Sequence, residues 1–257
     1  MKLLNTIVGI LTLSLFTSNF ANAGSHAYTY SGPDISGEKI TILGPWLAPE
    51  DESFRDVISI FENATGAVVE YGGSDEFEQI INIDCQAGSP PDIAVFPQPG
   101  LAANIAATGC LKPLGPDVKK LVSDNYAAAQ SWIDLATYKS ENNTNKFYGV
   151  FYRVNVKSLV WYSPDNFEDN GYEVPSSMEG LIALTEQMAS DGNTPWCIGL
   201  GSGGATGWPA TDWMEDVMLR SYPPFVYDNW VSNELKFNDQ KILDAMDFFG
   251  SFALNAS

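Results

Sequence analysis

KITILG at Lys39–Gly44, AVVEY at Ala67–Tyr71 and DIAVF at Asp92–Phe96 are three short apolar runs, and the segments between them are of helical length. In Glu50–Gly66 the residues Phe54, Val57, Ile58 and Phe61 recur at i, i+3, i+4 and i+7, with Gly66 as a stop. Asp75–Gly88 repeats the pattern with Phe77, Ile80, Ile81 and Cys85 on one face. Strands alternating with helices over short loops predict βαβ units, and hence a parallel sheet covered by helices. The expected fold class is therefore α/β.

Downstream, Leu101–Ala107 continues as a small helix and Lys139–Lys146 reads as a polar loop. Phe147–Tyr152 and Val156–Tyr162 read as strands, and the chain is expected to cross between two lobes near Tyr152–Asn155. Ser176 and Glu179 form a capping box opening a helix that runs to about Gly192. Trp196–Leu200 reads as a strand, Gly201–Gly207 as a glycine-rich loop, and Asp212–Ser221 and Asp239–Asn255 as helices. Four regions result: 1–23, 24–37, 38–152 and 153–257.

The first region is an address. Lys2 is followed by the mostly apolar Leu3–Phe16 and by Ala21-Asn22-Ala23, a secretory signal with cleavage expected between Ala23 and Gly24. Residues 24–37 are polar and read as a flexible mature start. Export permits disulfides, and Cys85 with Cys110 is the expected pair, leaving Cys197 either as a free thiol or bonded to a partner outside this sequence.

Composition narrows the chemistry. Of 257 residues, 12% are aromatic, too many for a chain that cannot collapse. The net charge of −19 repels phosphate backbones and anionic headgroups, which argues against nucleic acid and membrane surfaces as partners. A single His makes a histidine metal site or a catalytic triad hard to assemble, so neither metal nor cofactor is expected.

Ligands of open α/β sheets bind beyond the carboxyl ends of the strands. Trp46 and Phe96 follow the first and third strands, and carboxylates stand nearby at Glu50, Asp51, Glu52, Asp75 and Glu76. Tyr152, Trp208 and Trp230 are further aromatics at expected strand ends or loops. This mixture suits a sugar, whose C–H faces lie against aromatic rings while its hydroxyls donate to carboxylates and amide oxygens. The glycine stretch 201–207 lacks both phosphate-binding fingerprints and reads as a loop that brings backbone N–H groups to a neutral ligand. Paired carboxylates, Glu50/Glu52 or Asp212/Glu215, are the alternative of a glycosidase acid/base pair.

Six segments in order resemble the periplasmic solute-binding proteins of sugar ABC transporters, in their alpha-glucoside-binding branch (the family 1 extracellular binding proteins). They are PDIAVFPQPG (91–100), GCLKPL (109–114), YRVNVKSLVWYS (152–163), GNTPWCIGL (192–200), GSGGATGWPATDWMED (201–216) and YDNWVSNELKF (227–237). GATGWPATDW is the most specific of these.

The resemblance implies two α/β lobes, each with a central sheet flanked by helices, joined by a hinge around a sugar cleft. It implies cleft residues at Trp46, Asp51, Asp75 and Phe96 in the first lobe, Tyr152 and Asn155 in the crossing segment, and Trp208, Asp212 and Trp230 in the second. Family members are longer, so residues 153–257 are expected to be a truncated second lobe with exposed apolar surface. The implied function is a monomeric, non-enzymatic periplasmic receptor delivering an alpha-glucoside such as maltose, trehalose or sucrose to an ABC-transporter membrane permease. The alternatives are an exported glycoside hydrolase and a polysaccharide-binding adhesin.

Overall fold

The computed structural model describes residues 29–253. The expected export signal lies outside the described residues. Of the expected flexible start, Ser36 and Gly37 are anchored: Gly37 N–H donates to the Gly66 carbonyl at 2.8 Å, and the Ser36 hydroxyl donates to the Thr65 carbonyl.

Strand β1 (Lys39–Gly44) leads into α1 (Glu50–Thr65), then β2 (Val68–Gly73), α2 (Phe77–Ala87) and β3 (Ile93–Ala94). The sheet is parallel with order β2-β1-β3 and register Ile42↔Tyr71 and Ile42↔Ile93. Glycine stops both helices: Gly66 and Gly88 adopt the left-handed conformation that a side chain resists. Three acidic residues open α1, where they complement the positive end of its dipole. Ile42, Ile58 and Tyr71 form the core between sheet and helix, with Phe54, Val69, Val95 and Trp46 packed around it. Ile58 is buried as the helical spacing predicts, whereas Val57 is 52% exposed. The short β3 is pinned by Asp92, whose carboxylate accepts from both the N–H and the hydroxyl of Thr41.

The segment that leaves α3 (Pro99–Ala107) is joined to α2 by the disulfide Cys85–Cys110, with Cα atoms 5.7 Å apart. The region 115–138, which the apolar spacing left without elements, folds as α4 (Pro116–Asn125) and α5 (Ala129–Leu135). The expected strand Phe147–Tyr152 forms only at its first residue. Thr137–Lys139 (β4) and Asn145–Phe147 (β5) pair antiparallel around the polar loop, and 148–152 leaves the ladder. Val122, Ile133, Ala136 and Phe147 close a small core beneath these elements.

The later half contains α6 (Pro164–Asn170), α7 (Met178–Ser190), α8 (Trp208–Ser221), α9 (Pro224–Val231) and α10 (Gln240–Ala253). The cap of α7 is Ser177, which accepts from Gly180 N–H; the expected cap, Ser176, lies one residue earlier. Helices α8, α9 and α10 bury Met214, Met218, Val226 and Ile242 in one cluster.

Neither expected strand of this half, Val156–Tyr162 or Trp196–Leu200, joins a ladder among the described residues. The preference of β-branched and aromatic residues for strands is a preference for a pleated, packed surface, and it cannot be expressed without neighbouring strands. Side chains such as Val156, at 77%, and Trp161, at 86%, stay exposed accordingly. The segments instead border a cavity of about 880 Å³, whose other walls include Leu181, Leu184 and Met188 of α7 and Trp213 of α8.

The disulfide closes a 25-residue separation. Reduction or C85A/C110A is expected to lower unfolding free energy by about 3 kcal/mol through the larger entropy of the open chain. Urea unfolding with and without reductant measures this.

Candidate functional site

In the order β2-β1-β3 the connection from β1 runs to one edge of the sheet and the return from β2 passes β1 to reach β3 on the other, so the crevice between β1 and β3 is the switch point of the sheet. Trp46 lies two residues beyond β1 and Phe96 two beyond β3. The local chain holds Trp46 firmly. Its N–H donates to the Tyr71 hydroxyl, and that hydroxyl lies 3.1 Å from the Trp46 carbonyl oxygen as well. A methyl group on Gly73 would collide with the same carbonyl, so β2 and the Trp46 loop approach closely only because residue 73 is glycine.

Around the indole stand Phe54 at 5.2 Å and Tyr152 at 5.7 Å between ring centroids, the latter edge-on. Tyr152 also contacts Phe54 at 5.5 Å. Of the expected residues, Trp46 of the first lobe and Tyr152 of the crossing segment thus meet in one aromatic cluster. Burial pushes the phenols of Tyr71 and Tyr152 above their ordinary range, so both stay protonated donors at neutral pH.

The other first-lobe candidates differ. The Asp51 carboxylate accepts from Arg55 at 2.9 Å, one turn along α1. Asp75 is exposed beyond β2. Phe96 packs edge-to-face on the buried Phe77, at 5.5 Å, and belongs partly to the core. Asn155 accepts from Arg153 Nε at 3.2 Å.

On the second side, Trp208 is the first residue of α8, although the sequence reads as a loop there. Pro209 follows it, a residue suited to a helix start because its missing N–H has no partner to lose. Starting the helix at Trp208 places Asp212 one turn away on the same face. Both reach Lys157: its Nζ lies 4.1 Å from the Trp208 ring centroid and 3.3 Å from the Asp212 carboxylate. Ser158 donates to the Asp212 backbone carbonyl at 3.0 Å. Trp208 and Asp212 line the large cavity, whereas the other expected site residues do not.

The glycine-rich stretch forms a 3-10 turn at Gly203–Ala205, and a side chain on Gly204 would lie 3.5 Å from the Gln79 amide of α2. Trp230 is placed away from the other candidates. It lies within α9, contacts Tyr227 and Phe237, and packs against the helical core.

Two interactions escaped the sequence reading, one of them at Glu215, which the sequence offers only as an acid/base partner of Asp212. Tyr227 donates to Glu215 at 3.1 Å, and burial drives the Glu215 carboxyl upward. Arg153 stacks over the Trp46 ring at 5.6 Å. The signal for Arg153 was its place in the crossing segment beside Tyr152; nothing in the spacing marked Glu215 and Tyr227 as partners.

The family model for "bacterial extracellular solute-binding protein" matches residues 44–252. The chain belongs to that family. This solute-binding protein is 55% identical over 224 residues to the alpha-glucosides-binding periplasmic protein AglE of Rhizobium meliloti, covering 87% of this chain and 49% of the relative. It is 42% identical to the osmoprotective compounds-binding protein GgtB of Synechocystis, covering 87% and 53%.

Among solved structures, it is similar to the solute receptor AcbH, described as having a substrate preference for β-D-galactopyranose. The TM-score is 0.63 at 22% identity, over 85% of this chain and 54% of that one. A structure from work on xylan utilisation by Caldanaerobius polysaccharolyticus matches with TM-score 0.64 at 18% identity, over 85% and 53%. The solute-binding protein chain spans about half the length of the curated relatives it matches.

Burial, followed by the neighbouring Glu215 carboxylate, pushes Tyr227 up to about 12 from an ordinary 10.0. A raised folded value contributes stability that is complete below the unfolded value and is lost as pH rises through the folded one. Unfolding free energy is therefore expected to fall between pH 10 and 12 more steeply in the wild type than in Y227F. The last tyrosinate step in absorbance at 295 nm is expected to vanish in the variant.

Proposed function

We propose that this chain is the ligand-gripping part of a periplasmic receptor. It binds an alpha-glucoside or related neutral oligosaccharide without altering it and delivers it to an ABC-transporter permease. The observation that carries this reading is the aromatic cluster of Trp46, Phe54 and Tyr152 at the sheet's switch point, joined to the crossing segment. The name of the 55% identical relative supports alpha-glucosides as the substrate class. Rings supply flat apolar area to pyranose C–H faces, and Asp212, Asn155 and Asp75 supply acceptors for hydroxyls.

Residues 38–152 and 153–257 act as the two lobes, and export follows cleavage between Ala23 and Gly24. A sugar touching both lobes only when they approach stabilises the closed state by its differential affinity, which is all the mechanism requires. The receptor acts as a monomer.

A thermal and chemical stability screen against maltose, trehalose and sucrose tests this. A bound sugar at 100 times its dissociation constant is expected to add about 2.7 kcal/mol of stability. W46A is expected to weaken binding about tenfold, the loss of one stacking surface. Turnover of a chromogenic glycoside, or binding to insoluble polysaccharide alone, would overturn the reading in favour of a hydrolase or an adhesin.

A further inference from the structure

The two indoles read as sugar platforms are both covered, and the covers come from one short segment. Arg153 lies over Trp46 with its guanidinium carbon 5.6 Å from the ring centroid. Four residues on, Lys157 lies over Trp208 with Nζ at 4.1 Å. Each cation is also bonded to the polar group that the sequence reading assigns to a sugar hydroxyl. Arg153 Nε donates to Asn155 at 3.2 Å, and Lys157 pairs with the Asp212 carboxylate at 3.3 Å. Between them, Tyr152 touches the first-lobe cluster and Ser158 donates to the backbone of α8, so the segment is fastened at both ends.

A pyranose needs the same two things that each cation now takes: a ring face for its C–H surface and an acceptor for a hydroxyl. We infer that Arg153 and Lys157 are intramolecular stand-ins for the ligand, and that the sugar binds by displacing them from Trp46 and Trp208. This rests on the sugar reading proposed above. Displacement releases the crossing segment from both indoles at once, which couples occupancy of the cleft to freedom of the chain between the halves. The two residues set affinity through competition: the cations lower the fraction of molecules ready to bind, and apparent affinity falls by that fraction.

Cation–ring contacts at exposed sites are weak, so each cover is expected to cost about two- to five-fold in affinity. The test uses this chain labelled with 5-fluorotryptophan, the Trp46 and Trp208 fluorine resonances being assigned with W46F and W208F, and circular dichroism checking that every variant is folded. R153M is expected to shift the Trp46 resonance alone, and K157M the Trp208 resonance alone; methionine keeps the stem and removes the charge.

In maltose titrations each variant is expected to bind two- to five-fold more tightly than the wild type, and the double variant about tenfold. K157R is expected to stay near wild type. Raising salt from 20 to about 500 mM is expected to tighten wild-type binding and to leave the double variant unchanged, because salt screens the Lys157–Asp212 pair.

Unshifted resonances, or variants that bind maltose equally or more weakly, overturn the inference while leaving the sugar reading intact. If no form binds maltose, trehalose or sucrose, the sugar reading is what fails. The covers are then judged by the resonances alone: shifted ones sustain them and unshifted ones overturn them.

Discussion

Strand β1 is hydrogen-bonded along both edges, and the first half of the molecule is built outward from that double pairing. The chain crosses from β1 to β2 on one edge and then back past β1 to β3 on the other, and right-handed crossovers running in opposite directions fall on opposite faces of the sheet. The place where the passes diverge cannot be filled by a connection, and it is left open. Trp46 stands at that opening because it follows β1 directly. Its orientation is then fixed by β2 through Tyr71, a core residue that spends its hydroxyl on the Trp46 backbone. Core and loop thus share a side chain: the ring of Tyr71 belongs to packing, and its oxygen holds the Trp46 backbone.

How much of this could be read from residues alone varied with how local the cause was. The βαβαβ run was legible because periodicity, glycine stops and short loops all act within a few residues. Four helices are hidden from apolar spacing, or begin earlier than it indicates, for one shared reason. Pro116, Pro164, Pro209 and Pro224 each stand in the first turn of a helix. Proline there is a start signal, yet in a scan for apolar spacing it reads as a break. The error at α8 mattered most, since it hid the one-turn relation between Trp208 and Asp212.

The later half failed for a different reason. Val156–Tyr162 and Trp196–Leu200 carry strand-like composition, but strand structure is a property of pairs. The cavity they border has the character of a helical layer's inner face, rich in leucine and tryptophan. Trp230 shows the same limit at a single residue. Its neighbours in sequence are those of a loop, while its neighbours in space are the core of α8, α9 and α10. No spacing argument separates a tryptophan that grips a guest from one that seals a core; only the contacts do.

Gly73 carries an implication for how such a cleft can vary over time. The space between β2 and the carbonyl of Trp46 is set by a hydrogen atom where every other residue has carbon. A platform of this kind tolerates drift in the residues that face the guest more readily than in the one behind it. Diversification would then proceed through the aromatic and acidic rim, while Gly73 at the carboxyl end of β2 stays fixed.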